Sequence, residues 1–313
     1  MGERLESGNF LASPRGGLSF ARARRRVAEP LWRLPWLRGW ALLLPPVAWF
    51  ALLYLAALAV LFVSAFWSVD VFTTKVVHSW NLDNFREIVT SAAWRRVIVR
   101  TVVIAALVTL TDAILAFPFA YYMARIASRK TRAVLFVLVL LPLWSSYLVR
   151  VYAWKVILAQ DGILNWSLEK AGLPGANIGY SNTAMWLVFS YIWLPFMILP
   201  VYAALERIPD SYLEASRDLG ARSFKTFRTI VLPLALPGVI AGSIFTFSLT
   251  LGDYITPTLV GGASSTFIGN VVYNTGLGSA GNLPFAAAFA TVPLLVMAIY
   301  IALARRTGAF EAL

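Results

Sequence analysis

The chain has 313 residues, of which 59% are hydrophobic and 13% are charged, and its formal net charge is +12. Soluble domains carry about a quarter charged residues, so this composition excludes an ordinary water-soluble domain and indicates a membrane protein. The chain has no cysteine, which excludes disulfides and thiolate metal sites, and its only histidine is His78, which excludes a multi-histidine metal site.

The N-terminal residues 1–39 precede any long apolar run and are predicted to form a basic cytoplasmic tail. On charge alone, the arginine-rich stretch at residues 22–26 is compatible with nucleic-acid binding, but we interpret it as a determinant of topology and expect no nucleic acid as a partner. The next 26 residues, Ala41 to Phe66, are uncharged. A secretory signal peptide has a shorter apolar stretch, so we predict an additional N-terminal transmembrane helix over residues 40–67.

Long apolar runs follow along the rest of the chain. Such runs predict helices rather than a barrel, because about 20 apolar residues in a helix cross the hydrocarbon core of a bilayer. The sequence therefore predicts an all-α membrane protein with six transmembrane helices, at about residues 41–66, 99–123, 133–154, 183–205, 236–259 and 285–304.

The basic residues predict the orientation of these helices. Nineteen lysines and arginines lie before the first span, in loops 124–132 and 206–235, and at Arg305 and Arg306, whereas five lie in the opposite loops. The positive-inside rule then places both termini of this multi-pass protein in the cytoplasm. This orientation predicts that residues 68–94 form an external segment. Two further external segments, 156–182 and 261–284, are either simple loops or segments packed over the outer mouth.

The cytoplasmic loop between the fourth and fifth spans has a pattern of its own. Ser211 and Glu214 have the spacing of a capping box, which predicts the start of a helix. Gly220 suits the left-handed cap at its end, and a second helix is predicted from Ser223 to about Pro233. Apolar residues recur at helical spacing on one face of the first helix: Ile208, Tyr212, Ala215 and Leu219. The loop is either an element that docks on another protein or an interfacial helix lying on lipid.

The same loop resembles the EAA motif of type I ABC importer permeases: Glu-Ala-Ala, three residues, Gly, nine residues, then Ile-x-Leu-Pro. Six positions match, Glu214, Ala215, Gly220, Ile230, Leu232 and Pro233, and Ser216 stands in place of the second alanine. The resemblance implies the type I (MetI-like) permease fold, with a core at 95–305, a coupling loop at 206–235 and a cytoplasmic C-terminus at 306–313. It also implies that Glu214 fixes the bent loop through hydrogen bonds.

The resemblance further implies the partners: an ABC ATPase dimer, a second permease subunit and an extracytoplasmic solute-binding protein, within membrane lipid. This chain has no Gly-x-x-x-x-Gly-Lys-Ser/Thr phosphate loop. We therefore expect it to be no enzyme by itself and to bind no cofactor, with ATP and Mg²⁺ on the partner ATPase.

A narrower resemblance to the spermidine/putrescine-type permeases rests on Ile208-Pro209, Asp218 to Ala221, Leu251 to Pro257, Leu259 to Gly262, and Ile268 to Asn270. It implies a polyamine or similar small cationic solute, and a second permease that is a different chain.

Two acidic residues inside predicted spans require an explanation, because a charged side chain at the centre of a membrane helix costs roughly 2.5–3.5 kcal/mol on insertion scales. Asp112 either lines a substrate pathway or pairs with Arg100, Arg150 or a hydroxyl such as that of Thr111. Asp253 is a candidate for the pathway or a gate, because Gly252 and Pro257 flank it and break the helix. Aromatic candidates for cation–π contacts in the pathway are Trp144, Tyr147 and Tyr254.

Two other classes of protein would account for part of the sequence. A secondary transporter driven by an ion gradient would explain six spans and two buried carboxylates, but it predicts inverted repeats that this sequence lacks, and it leaves the spacing in residues 208–233 unexplained. A membrane enzyme would need a base near Ser145, Ser146 and Asp112, and His78 lies outside the spans.

Overall fold

The structure, a computed structural model, describes residues 35–70, 72–262, 264–278 and 281–305. Most of the predicted N-terminal tail and all of the predicted C-terminal segment 306–313 lie outside these residues. The chain divides into two units, residues 1–60 and 61–313. Within the described residues the secondary structure is helical apart from one two-stranded sheet, in agreement with the predicted all-α class.

The first described element is a helical segment made of α1 (Pro35–Phe50), a π-helical turn (Ala51–Leu55) and α2 (Ala56–Ser64). Residues Leu42–Ser64 are long and apolar enough to cross a membrane. This agrees with the first predicted span, 41–66, because a continuous run of uncharged residues needs no partner to be stable as a helix in lipid.

A short hairpin and a helix follow, in the segment predicted to be external. Strand β1 (Ser68–Val69) pairs antiparallel with β2 (Val76–Val77). The Asp70 carboxylate accepts hydrogen bonds from the backbone N–H groups of Thr73 (2.8 Å) and Phe72 (2.9 Å), which lower the pKa of Asp70. Helix α3 (Asp83–Thr90) is tied to the end of α2 by Asn84, which donates to the carbonyls of Ala65 and Trp67.

The centre of the second unit is formed by three long helices: α4 (Ala92–Tyr121, continued by a π-helical turn, Tyr122–Ile126), α8 (Asn182–Glu206) and α11 (Leu232–Gly252). Helices α8 and α11 approach closely at two glycines. A Cβ atom at Gly238 would lie 2.6 Å from the Pro200 carbonyl oxygen, and one at Gly242 would lie 3.1 Å from the Met197 Cα. Small residues permit such contacts between helices in membranes.

The third predicted span, 133–154, is not one straight helix. Helix α5 (Arg129–Trp144) and helix α6 (Tyr147–Ile157) meet at an angle of 92°. Ser145 and Ser146 between them have extended backbone, and the hydroxyl of Ser145 donates to the carbonyl of Pro142 at 2.7 Å. Within the described residues, five helical segments are therefore long enough to cross a membrane, or six if the bent pair is one span.

Four further helices of this unit lie outside its centre. They are α7 (Ile163–Lys170), α12 (Ile255–Val260), α13 (Ile268–Gly276) and α14 (Leu283–Arg305). The fifth predicted span, 236–259, is divided, because α11 ends at Gly252 and the chain turns at Asp253 before α12. The segment 261–284 is more than a simple loop: it contains α13, which packs on α14, and Phe267 and Ile268 in it are fully buried.

The loop between α8 and α11 contains α9 (Asp210–Asp218) and α10 (Ser223–Thr226). The prediction that the second helix ends at Pro233 is wrong. From Ser223 to Gly252 the chain is one helical segment, with a π-helical turn at Phe227–Val231. Pro233 is the second residue of α11, directly after this turn, and it does not end the helix.

Candidate coupling elbow and translocation cleft

We call residues 210–226, comprising α9, α10 and the turn between them, the elbow. Its bend lies at Gly220, which has a positive φ of 75°. The N–H of Ala221 donates to the carbonyl of Ser216 at 3.0 Å, and the N–H of Gly220 donates to that of Arg217 at 2.8 Å. These two bonds define a Schellman cap, so the predicted left-handed glycine cap is confirmed.

The start of the elbow differs from the prediction. Helix α9 begins at Asp210 after Pro209, and no side chain caps it, so the predicted capping box of Ser211 and Glu214 is not formed. The Glu214 side chain is exposed and makes no hydrogen bond with any described residue, contrary to the role that the family resemblance implied. Asp210 supplies the acidic residue of the first turn instead.

The predicted apolar face of α9 is also divided. Ile208 is buried in the core below the elbow, whereas Leu219 is 88% exposed. The reason is that Leu219 lies at the C-cap, where the backbone has already left the helix. Leu219 and Phe224 lie on either side of Gly220 in the sequence, both are exposed, and we call these two side chains the apolar tip of the elbow.

A groove of 540 Å³ lies between α9 and the start of α11. Of the seven residues at positions of the EAA motif, four line it: Ala215, Ser216, Ile230 and Pro233. Glu214, Gly220 and Leu232 lie outside the groove. The buried hydroxyl of Ser216 is 2.8 Å from that of Thr226, which joins the two arms of the elbow.

The break between α11 and α12 is organised by Asp253. One carboxylate oxygen accepts hydrogen bonds from the backbone N–H groups of Ile255 (2.7 Å) and Thr256 (3.3 Å), which is the arrangement of a helix N-cap. The other accepts from the Thr256 hydroxyl (3.0 Å) and from the Tyr147 hydroxyl on α6. Asp253 therefore caps α12 and links it to the bent pair of helices.

The Asp253 carboxylate borders a cavity of 350 Å³, which we call the cleft. It is lined by Tyr147, Trp193, Ser248, Leu249, Gly252, Asp253 and Tyr254. The rings of Tyr147 and Trp193 are stacked with centroids 5.8 Å apart, and the Arg150 guanidinium lies 6.0 Å from the Tyr147 ring centroid. Aromatic faces and a carboxylate are groups that bind organic cations.

The structure brings three of the five predicted pathway residues together at the cleft: Tyr147, Asp253 and Tyr254. Trp144 lies apart, 79% exposed at the end of α5. Sequence reasoning missed Trp193 and Ser248, because both lie in spans with no polar pattern to distinguish one face. The bend between α5 and α6 is what places Tyr147 opposite Trp193 and Asp253.

Asp112 also lies apart from the cleft, fully buried on α4. Among the described residues, neither Arg100 nor Arg150 pairs with its carboxylate, and the hydroxyl beside it is that of Ser190 on α8 rather than that of Thr111. Arg100 donates instead to the carbonyls of Ser264 and Thr266, and the Thr111 hydroxyl accepts from the indole N–H of Trp186 at 3.0 Å. Arg100 and Thr111 lie on the same helix as Asp112, but their side chains are on other faces of it.

Comparison with protein families adds independent information. Residues 116–308 match the family described as "Binding-protein-dependent transport system inner membrane component". The chain is 47% identical to the inner membrane ABC transporter permease protein YdcU of Escherichia coli over 319 residues, covering 97% of this chain and 99% of that protein. It is 37% identical to the spermidine/putrescine transport system permease protein PotB of Haemophilus influenzae, covering 66% of this chain and 73% of that protein.

Solved structures show similarity of fold. A chain of a bacterial ABC transporter involved in the import of the acidic polysaccharide alginate superposes with a TM-score of 0.70 at 21% identity, covering 90% of this chain and 99% of that one. A chain of the MetNI methionine ABC transporter superposes with a TM-score of 0.52 at 18% identity, covering 71% of this chain and 96% of that one.

Proposed function

Because the chain belongs to the family of binding-protein-dependent transport system inner membrane components, we propose that its elbow docks on the ATPase and that its cleft lies on the solute path. The chain is a multi-pass inner-membrane permease subunit of an ABC importer, which functions with an ATPase and a periplasmic binding protein. It is not catalytic itself, and ATP is bound by the ATPase partner. This membership replaces the alternative of an ion-gradient-driven transporter.

The observation that carries the docking proposal is the exposed apolar tip of the elbow. Leu219 is 88% exposed and Phe224 is 74% exposed, on the side of the chain that charge predicts to be cytoplasmic. Large apolar side chains at the tip of a rigid bend are suited to insertion into a groove on another protein. The groove lined by Ala215 and Ile230 adds a concave surface next to the tip.

Substitution at the tip tests this proposal directly. In the complete transporter, we expect Leu219→Asp combined with Phe224→Asp to abolish co-purification of the ATPase with the tagged permease. Both side chains are exposed, so insertion and folding of the permease are retained. The matched control is Leu173→Asp, which places a charge at an exposed leucine in the loop predicted to be external. Wild-type recovery of the ATPase with the doubly substituted permease refutes docking through the elbow.

For the solute, we propose a polyamine such as spermidine or putrescine, or a similar small organic cation. The similarity to PotB proteins supports this class, as does a cleft that combines the Asp253 carboxylate with three aromatic rings, those of Tyr147, Trp193 and Tyr254. We further propose that the core at 95–305 pairs with a second permease of different sequence.

Uptake of radiolabelled putrescine and spermidine by cells carrying the whole transporter tests the solute. We expect saturable uptake that an excess of unlabelled diamine inhibits and an excess of a neutral amino acid does not. The tagged permease is expected to co-purify with a second, non-identical permease chain. Absence of uptake for both amines, with an intact and ATP-hydrolysing complex, refutes a polyamine as the solute.

A further inference from the structure

Arg125 connects the end of α4 with the end of α8 and with the first turn of the elbow. It belongs to the π-helical turn that continues α4, and its side chain is only 12% exposed. Its guanidinium donates to the carbonyl oxygens of Leu205 (2.6 Å) and Ile208, at and beyond the end of α8. It also donates to the Asp210 carboxylate (2.8 Å), in the first turn of the elbow.

The two carbonyl contacts are the stronger part of this arrangement. The last carbonyls of a helix have no partner within the helix, and a guanidinium satisfies several of them in a fixed geometry. Hydrogen bonds from a charged donor are roughly twice as strong as neutral ones. The ion pair with Asp210 contributes less, because the Asp210 side chain is 80% exposed and water screens the pair.

A second arginine makes a parallel connection. Arg132, in the first turn of α5, donates to the carbonyls of Met123 (2.9 Å) and Ala124 (3.0 Å), within the same π-helical turn. It also lies 3.5 Å from the carboxylate of Glu206, the last residue of α8. The end of α4 is therefore held to α8 on two sides.

We propose that Arg125 is a positioning residue that makes the elbow, the end of α8 and the end of α4 move as one body. The covalent chain connects the elbow only to α8 and α11. Through Arg125, a displacement of the elbow reaches α4 as well, and α4 contributes to the same helical core as α8 and α11. The proposal rests on the proposed docking of the ATPase at the elbow. It assigns to Arg125 a second role, besides that of a positive charge that sets the orientation of the spans.

The test uses the complete transporter in proteoliposomes, loaded with ATP and supplied with binding protein and solute. For Arg125→Gln we expect the ATPase to co-purify at the wild-type ratio while the amount of solute imported per ATP hydrolysed falls at least about fivefold, the lower end of typical coupling effects. Arg129→Gln is the matched control. It removes the same charge from the same loop, but Arg129 is exposed and makes no hydrogen bond or ion pair with any described residue.

A distance measurement separates coupling from simple destabilisation. Because the chain has no cysteine, spin labels can be attached at Ile126→Cys and Ser211→Cys, two exposed positions that follow Arg125 and its partner Asp210 in the sequence. We expect one narrow distance distribution in the wild-type background, unchanged by ATP binding. In Arg125→Gln the distribution broadens or shifts with ATP. If Arg125→Gln does not accumulate in the membrane, Arg125→Lys is measured in the same way. Lysine keeps the positive charge but lacks the planar guanidinium that donates to several oxygens at once.

Wild-type import per ATP in Arg125→Gln or Arg125→Lys overturns the proposal. So does an ATP-dependent change in the distance between positions 126 and 211 of the wild-type background. Failure of docking at the elbow gives a different result: the ATPase then co-purifies with the Leu219→Asp, Phe224→Asp permease, whatever the behaviour of Arg125.

Discussion

The hydroxyl groups of Ser216 and Thr226 lie 2.8 Å apart in the buried inner angle of the elbow, and they join its two short helices. Ser216 occupies the position where the family pattern has alanine. The structure thus gives this one departure from the pattern a physical role: it is a hydrogen bond that holds the angle between α9 and α10.

We expect Ser216→Ala to lower the stability of the elbow by about 1 kcal/mol, the usual net contribution of one hydrogen bond. Thr226→Val leaves the buried Ser216 hydroxyl without this partner and is expected to cost more. The double substitution removes both polar groups, so its effect should be smaller than the sum of the single effects. Hydrogen exchange of residues 210–226 in the purified complex measures these differences, and strictly additive effects contradict the predicted pairing.

Gly220 permits a second prediction, because its φ of 75° disfavours any residue with a Cβ. We expect Gly220→Ala to cost about 1 kcal/mol locally and to lower import per ATP, since the bend of the elbow relaxes. A Cβ atom at this position meets no atom within 4 Å, so the effect is one of backbone strain rather than of a clash.

Gly172 provides the matched control for this strain. It has a φ of 73°, and a Cβ atom there also meets nothing within 4 Å, but it lies in the segment predicted to be external. Gly172→Ala should therefore introduce the same local strain without changing import per ATP. Equal losses of coupling in both variants would show that strain in general, rather than the elbow, is responsible.

The cleft makes a third prediction. Asp253→Asn keeps the shape of the side chain but removes the negative charge, so we expect uptake of a cationic solute to fall at least about tenfold, a loss of roughly 1.4 kcal/mol of transition-state stabilisation. Asp112→Asn removes the other carboxylate inside the helical core at a position away from the cleft. It should leave uptake nearly unchanged, whereas a larger loss from Asp112→Asn would place the pathway along α4 instead.

The close contact of α8 and α11 makes a fourth prediction. A Cβ atom at Gly238 would lie within 2.6 Å of the Pro200 carbonyl oxygen, a backbone atom that cannot rotate away. Overpacking of this kind costs typically 1–3 kcal/mol, so Gly238→Ala should lower the midpoint of thermal unfolding of the purified complex. Gly252→Ala, where a Cβ atom has open space, should leave that midpoint unchanged and serves as the control.

Several features could be predicted from the sequence because they depend on local chemistry. The first, second, fourth and sixth spans agree with the structure, although α4 begins seven residues before the predicted boundary at residue 99. Transfer of each apolar run into lipid is favourable by itself, and a helix pairs its own backbone groups, so no knowledge of its neighbours is needed. The glycine cap at Gly220 is equally local, since the left-handed conformation selects glycine.

Other features depend on which helices are neighbours, and only the tertiary structure decided them. Hydropathy is continuous across Ser145 and Ser146, so it contains no sign of the 92° turn that brings Tyr147 to Asp253. Arg125 is predicted only as one more positive charge until the ends of α4 and α8 are placed side by side. A run of apolar residues determines that a helix enters the membrane, but the faces that meet are set by packing between segments far apart in sequence.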